Sequence, residues 1–201
     1  MTKKGLNQNS KSIQKLIEII EPDFIFNESP INRMKATNIS KNITLNEKSE
    51  KLNALKEQIN SIENCKLKDN SKNLTFGDGD IFSPIIIISE APGYEEDRSN
   101  LTFQGEVGDL LKKMFLAINI ELKNTYKTYS VNFRPPEDRK PTSQEIKRYS
   151  VFLKEHISII DPKIIILLGG TAMEALTGSN NKITDERGKW KEIILKNKSY
   201  P

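Results

Sequence analysis

The chain is poor in cysteine, histidine and tryptophan, with one of each among its 201 residues. The single cysteine, Cys65, excludes an internal disulfide and suits a reducing compartment. No apolar run approaches the roughly 18 residues of a membrane-spanning helix, and residues 1–8 lack the apolar core of a secretion signal. These absences favour a cytoplasmic protein without a membrane segment.

The charge balance is mildly basic, with a formal net charge of +4. Such a balance is compatible with a nucleic-acid partner, but many other classes of protein share it. The length is sufficient for one domain with a substantial core.

Residues 1–75 are predicted to form a polar, helical N-terminal region that contains a linker. Apolar residues recur at helical spacing within residues 10–20, and the polar residues 36–50 predict a solvated linker. The apolar stripe of a second helix consists of Leu52, Leu55, Ile59 and Ile62.

Residues 76–201 alternate strand and helix patterns. The predicted strands cover residues 84–89, 126–132, 163–168 and 191–195, and the predicted helices cover residues 106–119, 143–160 and 171–177. This alternation is typical of a mostly parallel sheet with helices on both faces. We therefore predict an α/β fold, a three-layer α/β/α sandwich with a mostly parallel four-stranded sheet, preceded by the helical N-terminal region.

One stretch points to a functional site. Four isoleucines, residues 85–88, change directly into the polar turn 89–97, which contains Pro92, Gly93 and three consecutive acidic residues. An unbroken apolar run is typical of a strand buried on both faces, and open α/β sheets bind ligands just past the carboxyl ends of such strands. The predicted site is therefore the turn from Glu90 to Asp97.

Several blocks of the sequence, in this order, resemble the uracil-DNA glycosylase superfamily in its bacterial family 4 form. They are residues 89–97 followed by 103–105 and Gly108, residues 134–142, residues 162–172, and residues 187–190, with a weaker likeness at residues 29–33. The resemblance implies the fold of that superfamily and the removal of uracil from DNA.

A glycosylase must flip its base out of the helix, hold it in a pocket and break the N-glycosidic bond. By resemblance, the base pocket is lined by Glu90, Ala91, Pro92, Phe103 and Tyr129. Phe103 is the candidate stacking partner, and Glu90 and Glu96 match the two glutamates implicated in family 4 catalysis, where a carboxylate orients water or stabilises a cationic sugar. The alternatives are that Phe103 belongs to the ordinary core and that residues 95–97 form a solvated turn.

Basic residues in two later loops are candidates for DNA-phosphate contacts. They are Arg134, Arg139, Arg187 and Lys189, and Gly188 lets the backbone approach a phosphate. The alternative is that these are generic basic loops. Gly169 and Gly170 either bind an anion at a helix start or simply permit a tight turn.

The sequence departs from the family pattern at its cofactor. Family 4 proteins hold a 4Fe-4S cluster with four cysteines, whereas only Cys65 matches here. The partner position holds Ile62, and the later positions fall near Phe133 and Tyr149. Because one thiolate cannot hold a cubane cluster, we predict no cofactor and no metal, and a less braced N-terminal region.

Two groups that serve the base are also replaced or missing. The family asparagine that reads the uracil edge corresponds to Tyr129, and a phenol offers one hydroxyl and more bulk than an amide. Asn132 is expected on the opposite face of the strand, because side chains alternate. The family's His-Pro motif would follow Pro201, so the domain 76–201 is expected to be C-terminally incomplete. The histidine of this chain, His156, is predicted at a helix surface or boundary.

Three interpretations follow. In the first, the chain is a cluster-free uracil-DNA glycosylase of base excision repair, a cytoplasmic monomer that acts on single- or double-stranded DNA containing uracil. In the second, it is a catalytically inactive DNA-binding remnant of the same fold. In the third, it is an unrelated α/β domain that binds a small molecule or nucleotide.

Overall fold

The structure, a computed structural model, describes the backbone of residues 33–201 and the side chains from Leu45 onward. The predicted helix within residues 10–20 and the likeness at residues 29–33 lie outside the described residues. The compact unit that carries the sheet is Ile43–Pro201. Within the described part of the chain, no helix combines the length and apolar character needed to cross a membrane.

The first described helix, α1 (Arg33–Asn60), includes the residues that we predicted as a linker, so that prediction is wrong. No glycine or proline interrupts residues 33–60, and nothing therefore separates the polar segment from the apolar stripe that follows. The stripe itself is confirmed, because Leu52, Leu55 and Ile59 are buried in the main core and Ile62 packs against it.

The main sheet confirms the predicted α/β class. Its strands are β1 (Asp78–Gly79), β2 (Ile85–Ser89), β3 (Tyr126–Tyr129) and β4 (Ile164–Leu167), in the order β1-β3-β2-β4. Strand β2 pairs in parallel with β3 and β4, and β1 pairs antiparallel with β3. The register places Ser89 opposite Tyr129, so both strands end at the same edge of the sheet.

The predicted last strand exists but does not join this sheet. Strand β5 (Ile193–Leu195) pairs antiparallel with β6 (Lys198–Tyr200) in a separate hairpin. Lys196 and Asn197 between them both have positive φ, 47° and 66°, which is the conformation of a two-residue hairpin turn. The short β1, which the apolar pattern did not reveal, is the fourth strand of the main sheet.

Helices cover both faces of the sheet, as expected for three layers. They are α2 (Lys66–Asn70), α3 (Tyr94–Ser99), α4 (Gly105–Ala117), α5 (Ser143–Ile160), α6 (Gly170–Thr177) and α7 (Ile183–Glu186). Ile87 faces the cluster built on α4, whereas Ile86 and Ile88 face the larger core that contains α1, α5 and α6. This alternation is what a strand buried on both faces requires.

His156 lies in the core and not at the helix surface that we predicted. Its side chain is 2 % exposed, stacks on Phe76 with ring centroids 4.3 Å apart, and is hydrogen-bonded through Nε2 to the Tyr126 hydroxyl at 2.8 Å. Burial lowers the pKa of His156 to about 3. The signal was its position on the apolar stripe of α5, four residues before Ile160.

Candidate active site

The polar segments that follow the three parallel strands meet at one edge of the sheet. Glu90 comes directly after β2, and its Oε2 accepts a hydrogen bond from the Thr171 hydroxyl at 2.8 Å. Thr171 lies in the first turn of α6, which follows β4. Beyond β3, the Ser130 N–H donates to the Ser89 carbonyl at 2.8 Å. The predicted site therefore forms a continuous polar edge.

Glu96 holds two segments of backbone together. Its Oε2 accepts from the Gly93 N–H at 3.0 Å, which closes the start of α3, and its Oε1 accepts from the Gln104 N–H at 2.9 Å, just before α4. Both oxygens thus bind backbone amides, although a carboxylate retains further lone pairs. These two hydrogen bonds give Glu96 a structural role, because they join the start of α3 to the segment just before α4.

The acidic run 95–97 is not simply a solvated turn. Glu95 is exposed, Glu96 is half-buried, and Asp97 is buried. The Asp97 carboxylate accepts hydrogen bonds from the backbone N–H groups of Lys72 and Asn73, both at 2.9 Å, and from the Ser71 hydroxyl. Asp97 therefore anchors the site turn to the segment that precedes β1.

Phe103 and Tyr129 form a closed aromatic pair. Their ring centroids lie 5.4 Å apart with an interplanar angle of 26°, and the Phe103 N–H donates to the Tyr129 hydroxyl at 2.8 Å. The two residues are only 7 % and 3 % exposed. Burial raises the pKa of Tyr129 well above its usual range, the Phe103 N–H lowers it, and the charge of Glu96 raises it.

The two glycines that follow Phe103 fix its backbone. Phe103 has a positive φ of 51°, and Gly105 has a φ of 65°. A Cβ on Gly108 would lie 1.8 Å from the Phe103 carbonyl oxygen, so only glycine fits there. The sequence 103–108 therefore presses the first turn of α4 against Phe103, which explains why both glycines belong to the motif.

The remaining predicted pocket residues, Ala91 and Pro92, are at least partly buried. Pro92 is buried, and Ala91 packs against the main core. Asn132 is also buried, and its side-chain amide donates hydrogen bonds to the carbonyls of Thr75 and Phe76, both at 3.2 Å. The side-chain amide of Asn132 is therefore hydrogen-bonded to the backbone just before β1.

Two of the predicted DNA-binding arginines have carboxylate partners. Arg134 makes two hydrogen bonds to Asp138, at 2.6 and 2.7 Å, and Arg139 makes two to Glu145, at 2.9 and 2.8 Å. Hydrogen bonds from Arg139 lower the pKa of Glu145 to about 2. These pairs shape the loop and neutralise part of its positive charge.

The more open cationic surface is the segment 187–191, which we call the basic loop. Arg187, Gly188 and Lys189 are exposed, and Lys191 pairs with Glu186 at 2.8 Å. Trp190 in the same loop is 76 % exposed. We predicted the cations of this loop as DNA contacts but missed Trp190 as an aromatic surface, although the alternation of cations with tryptophan was the available signal.

Two cavities connect the polar edge to basic residues. One, of about 540 Å³, is lined by Lys140, Lys182 and Thr171 among others. The other, of about 400 Å³, is lined by the basic loop on one side and by Leu168 and Gly169, just after β4, on the other. Thr171 and Gly169 thus place both cavities at the edge that carries Glu90.

The four positions matched to cluster cysteines do come together, but as a packed core. The Cys65 Sγ lies 3.3 Å from the Tyr149 hydroxyl, the rings of Phe133 and Tyr149 meet edge to face at 6.4 Å, and Ile62 packs against the same core. One thiol and one phenol do not fit an iron–sulfur cluster. Among the described side chains, no group of three or more histidine, cysteine, aspartate or glutamate residues is placed to bind a metal ion.

Comparison with known proteins identifies similar chains. The family model for the uracil DNA glycosylase superfamily matches residues 76–200. The chain is 32 % identical over 142 residues to the type-4 uracil-DNA glycosylase of Thermotoga maritima, covering 70 % of this chain and 74 % of the relative. It is 36 % identical over 156 residues to the type-4 enzyme of Sulfurisphaera tokodaii, covering 72 % and 71 %. A DNA polymerase of Bacillus phage SP01 is 36 % identical over 118 residues, which cover 58 % of this chain and 13 % of the polymerase.

Proposed function

The chain belongs to the uracil DNA glycosylase superfamily, and from that premise we propose that it hydrolyses the N-glycosidic bond of uracil in DNA, the first step of base excision repair. In this reaction the oxygen of a water molecule bonds to C1′ of the deoxyribose as the bond from C1′ to N1 of uracil breaks. Uracil leaves with the electron pair of that bond and takes up the proton that the water loses. The products are free uracil and an abasic site. The observation that carries the proposal is the convergence of Glu90, Glu96 and Phe103 at one edge of the parallel sheet.

Glu90 is the better placed of the two carboxylates to act on water. Its Oε2 is held by Thr171, whereas Oε1 receives no hydrogen bond from the described residues. A fixed carboxylate with one oxygen available is suited to orient the attacking water and to stabilise the positive charge that develops on the sugar. Glu96 contributes negative charge nearby and keeps the loop in shape through Gly93 and Gln104.

We assign the contact with the DNA strand to the basic loop rather than to Arg134 and Arg139. Arg187 and Lys189 are exposed beside the site edge, and Trp190 offers a flat surface for an unpaired base. The two paired arginines then act mainly on the shape of their own loop. The monomeric state, the cytoplasmic location and the preference between single and double strands stay predictions.

The test is excision from a single-stranded oligonucleotide with one uracil, followed by alkaline cleavage of abasic sites. Glu90→Gln removes the charge at the proposed water position while preserving side-chain shape. Glu95→Gln is the matched control, because Glu95 lies in the same acidic turn but is exposed. Strand cleavage that is lost in Glu90→Gln and kept in Glu95→Gln supports the proposal. Equal activity in all three proteins overturns the role of Glu90.

A second candidate function is DNA binding without base release. The specific observation in its favour is that the ring of Tyr129 already covers Phe103. This alternative predicts salt-dependent binding through the basic loop and no free uracil at enzyme excess. The same oligonucleotide, assayed for binding and for cleavage, separates the two.

A further inference from the structure

We propose that Tyr129 is an internal stand-in for the flipped base: its ring occupies the stacking surface of Phe103, and uracil binds only when that ring leaves. This inference rests on the proposed function. Tyr129 would then determine which base is accepted, and in the absence of DNA its ring would close the site.

The contacts of Tyr129 are those that a pyrimidine needs. A uracil ring is flat, stacks on an aromatic face, and presents carbonyl oxygens that accept hydrogen bonds from N–H donors. The ring of Tyr129 lies on Phe103 at 5.4 Å, and its oxygen accepts the Phe103 N–H at 2.8 Å. The phenol thus stacks on the Phe103 ring and also accepts the hydrogen bond from the Phe103 backbone N–H.

The burial of the pair leaves no open stacking surface. Phe103 is 7 % exposed, because Tyr129 covers it on one side and the cluster of Ile87, Leu111 and Phe115 surrounds the rest of the side chain. A second ring cannot stack on Phe103 while Tyr129 remains in place. Gly108 closely approaches the Phe103 backbone, and Phe103 stays in place as the stacking surface while the Tyr129 ring moves.

The position of Tyr129 in the fold suits such a movement. It is the last residue of β3, opposite Ser89, and the backbone remains hydrogen-bonded to the β2 segment through Ser130 and Val131, so the movement is a rotation of the Tyr129 side chain alone. The Phe103 N–H that Tyr129 releases would be taken by a base carbonyl, so the exchange leaves no buried donor unpaired. A base that cannot enter the vacated space would leave Tyr129 in place, which makes the residue a filter for ring size and shape.

The experiment measures affinity for a strand that carries 2′-fluoro-deoxyuridine, whose glycosidic bond resists hydrolysis, against the same strand with thymidine. Tyr129→Ala is expected to raise the preference for the uracil strand roughly 10-fold or more, because the base no longer competes with the phenol. Tyr129→Phe keeps the ring and loses only the hydroxyl, so its gain should be smaller. Phe82→Ala is the matched control, since Phe82 is an exposed aromatic residue outside the turn 89–97 and the basic loop.

A second measurement uses the wild-type chain, so that a folding defect in Tyr129→Ala does not decide the question. The protein contains five tyrosines, and labelling with 3-fluorotyrosine gives a ¹⁹F spectrum in which Tyr129→Phe identifies one resonance. That resonance should shift when the uracil strand binds and stay in place with the thymidine strand.

The outcomes separate this inference from the proposed function. If wild type prefers or cleaves the uracil strand, while Tyr129→Ala weakens that preference and the Tyr129 resonance does not respond, the stand-in is overturned and the function stands. If no protein in the series distinguishes uracil from thymidine, both are overturned. A gain in Tyr129→Ala together with the resonance shift supports both.

Discussion

The thiol of Cys65 lies 3.3 Å from the phenolic oxygen of Tyr149, in the core that joins α1 to α5. The two positions correspond, by resemblance, to two of the four cysteines that bind a cluster in type-4 relatives. In this chain they make a side-chain contact instead, and Phe133 completes it with an edge-to-face ring. By that resemblance, this chain has a phenylalanine, a tyrosine and an isoleucine where cysteines would stand, and these side chains belong to or pack against one apolar core.

This replacement predicts a strong dependence of stability on the aromatic residues. Phe133→Ala should lower the free energy of unfolding by about 3–5 kcal/mol, as large-to-small changes of buried aromatic residues do. Tyr149→Phe removes only the hydroxyl partner of Cys65 and should cost about 0.5–1.5 kcal/mol. Urea unfolding followed by circular dichroism measures both. Equal, small losses in the two variants would show that this core does not brace the fold.

The buried His156 predicts acid sensitivity. Its pKa is about 3 in the folded chain, against 6.5 for the free side chain, so the unfolded chain binds more protons between these values. The free energy of unfolding therefore falls as the pH drops below about 6.5, by roughly 1.4 kcal/mol for each pH unit, and it is unaffected by this group above that pH.

His156→Gln separates this effect from the titration of other groups. The amide does not titrate and still offers a polar partner to the Tyr126 hydroxyl. We expect the variant to be less stable at neutral pH, because the stack on Phe76 is lost, and to have a flatter dependence of stability on pH. Urea unfolding at several pH values tests this, and parallel curves for the two proteins would contradict it.

The two site glutamates should respond differently to substitution. Glu96→Ala leaves the N–H groups of Gly93 and Gln104 without their acceptor, and should cost about 1–3 kcal/mol of stability in addition to any loss of activity. Glu90→Gln keeps an acceptor for Thr171 and should lose activity with little change in stability. Thermal unfolding measured beside the excision assay distinguishes them. A fully stable Glu96→Ala would refute its structural role.

The basic loop predicts how DNA affinity depends on salt. Replacing Arg187 or Lys189 by alanine should weaken binding to all sequences and lower the salt slope by about 1 for each phosphate contact that is lost. Arg148→Ala is the matched control, because Arg148 binds the carbonyls of Glu63 and Asn64. Fluorescence anisotropy at several salt concentrations measures the slopes. Unchanged slopes in the loop variants would place the DNA elsewhere.

Local patterns predicted most of the sheet and its helices. The helix Ser143–Ile160 begins and ends as predicted, since Thr142 and Glu145 form a capping box and apolar residues recur at helical spacing. The run of isoleucines identified β2, and the polar turn after it correctly marked the edge where Glu90 meets Thr171. These features depend on neighbours in the sequence.

Features that depend on distant partners were harder to predict. Strand β5 (Ile193–Leu195) has the apolar pattern of a strand in the main sheet. Its pairing with β6 (Lys198–Tyr200) in a separate hairpin is seen only in the structure. Composition alone suggested a solvated segment at residues 36–50, where the helix α1 continues. The burial of Phe103 under Tyr129 joins residues 26 positions apart, and no local pattern specifies that contact.

The central claim, that the chain removes uracil from DNA, is tested most directly by incubating the wild-type protein in excess with a single-stranded oligonucleotide that carries one uracil. We predict strand cleavage at the uracil after alkali treatment, absent from the matched thymidine strand and lost in Glu90→Gln. An intact uracil strand, with the protein folded and bound to the DNA, would contradict the claim.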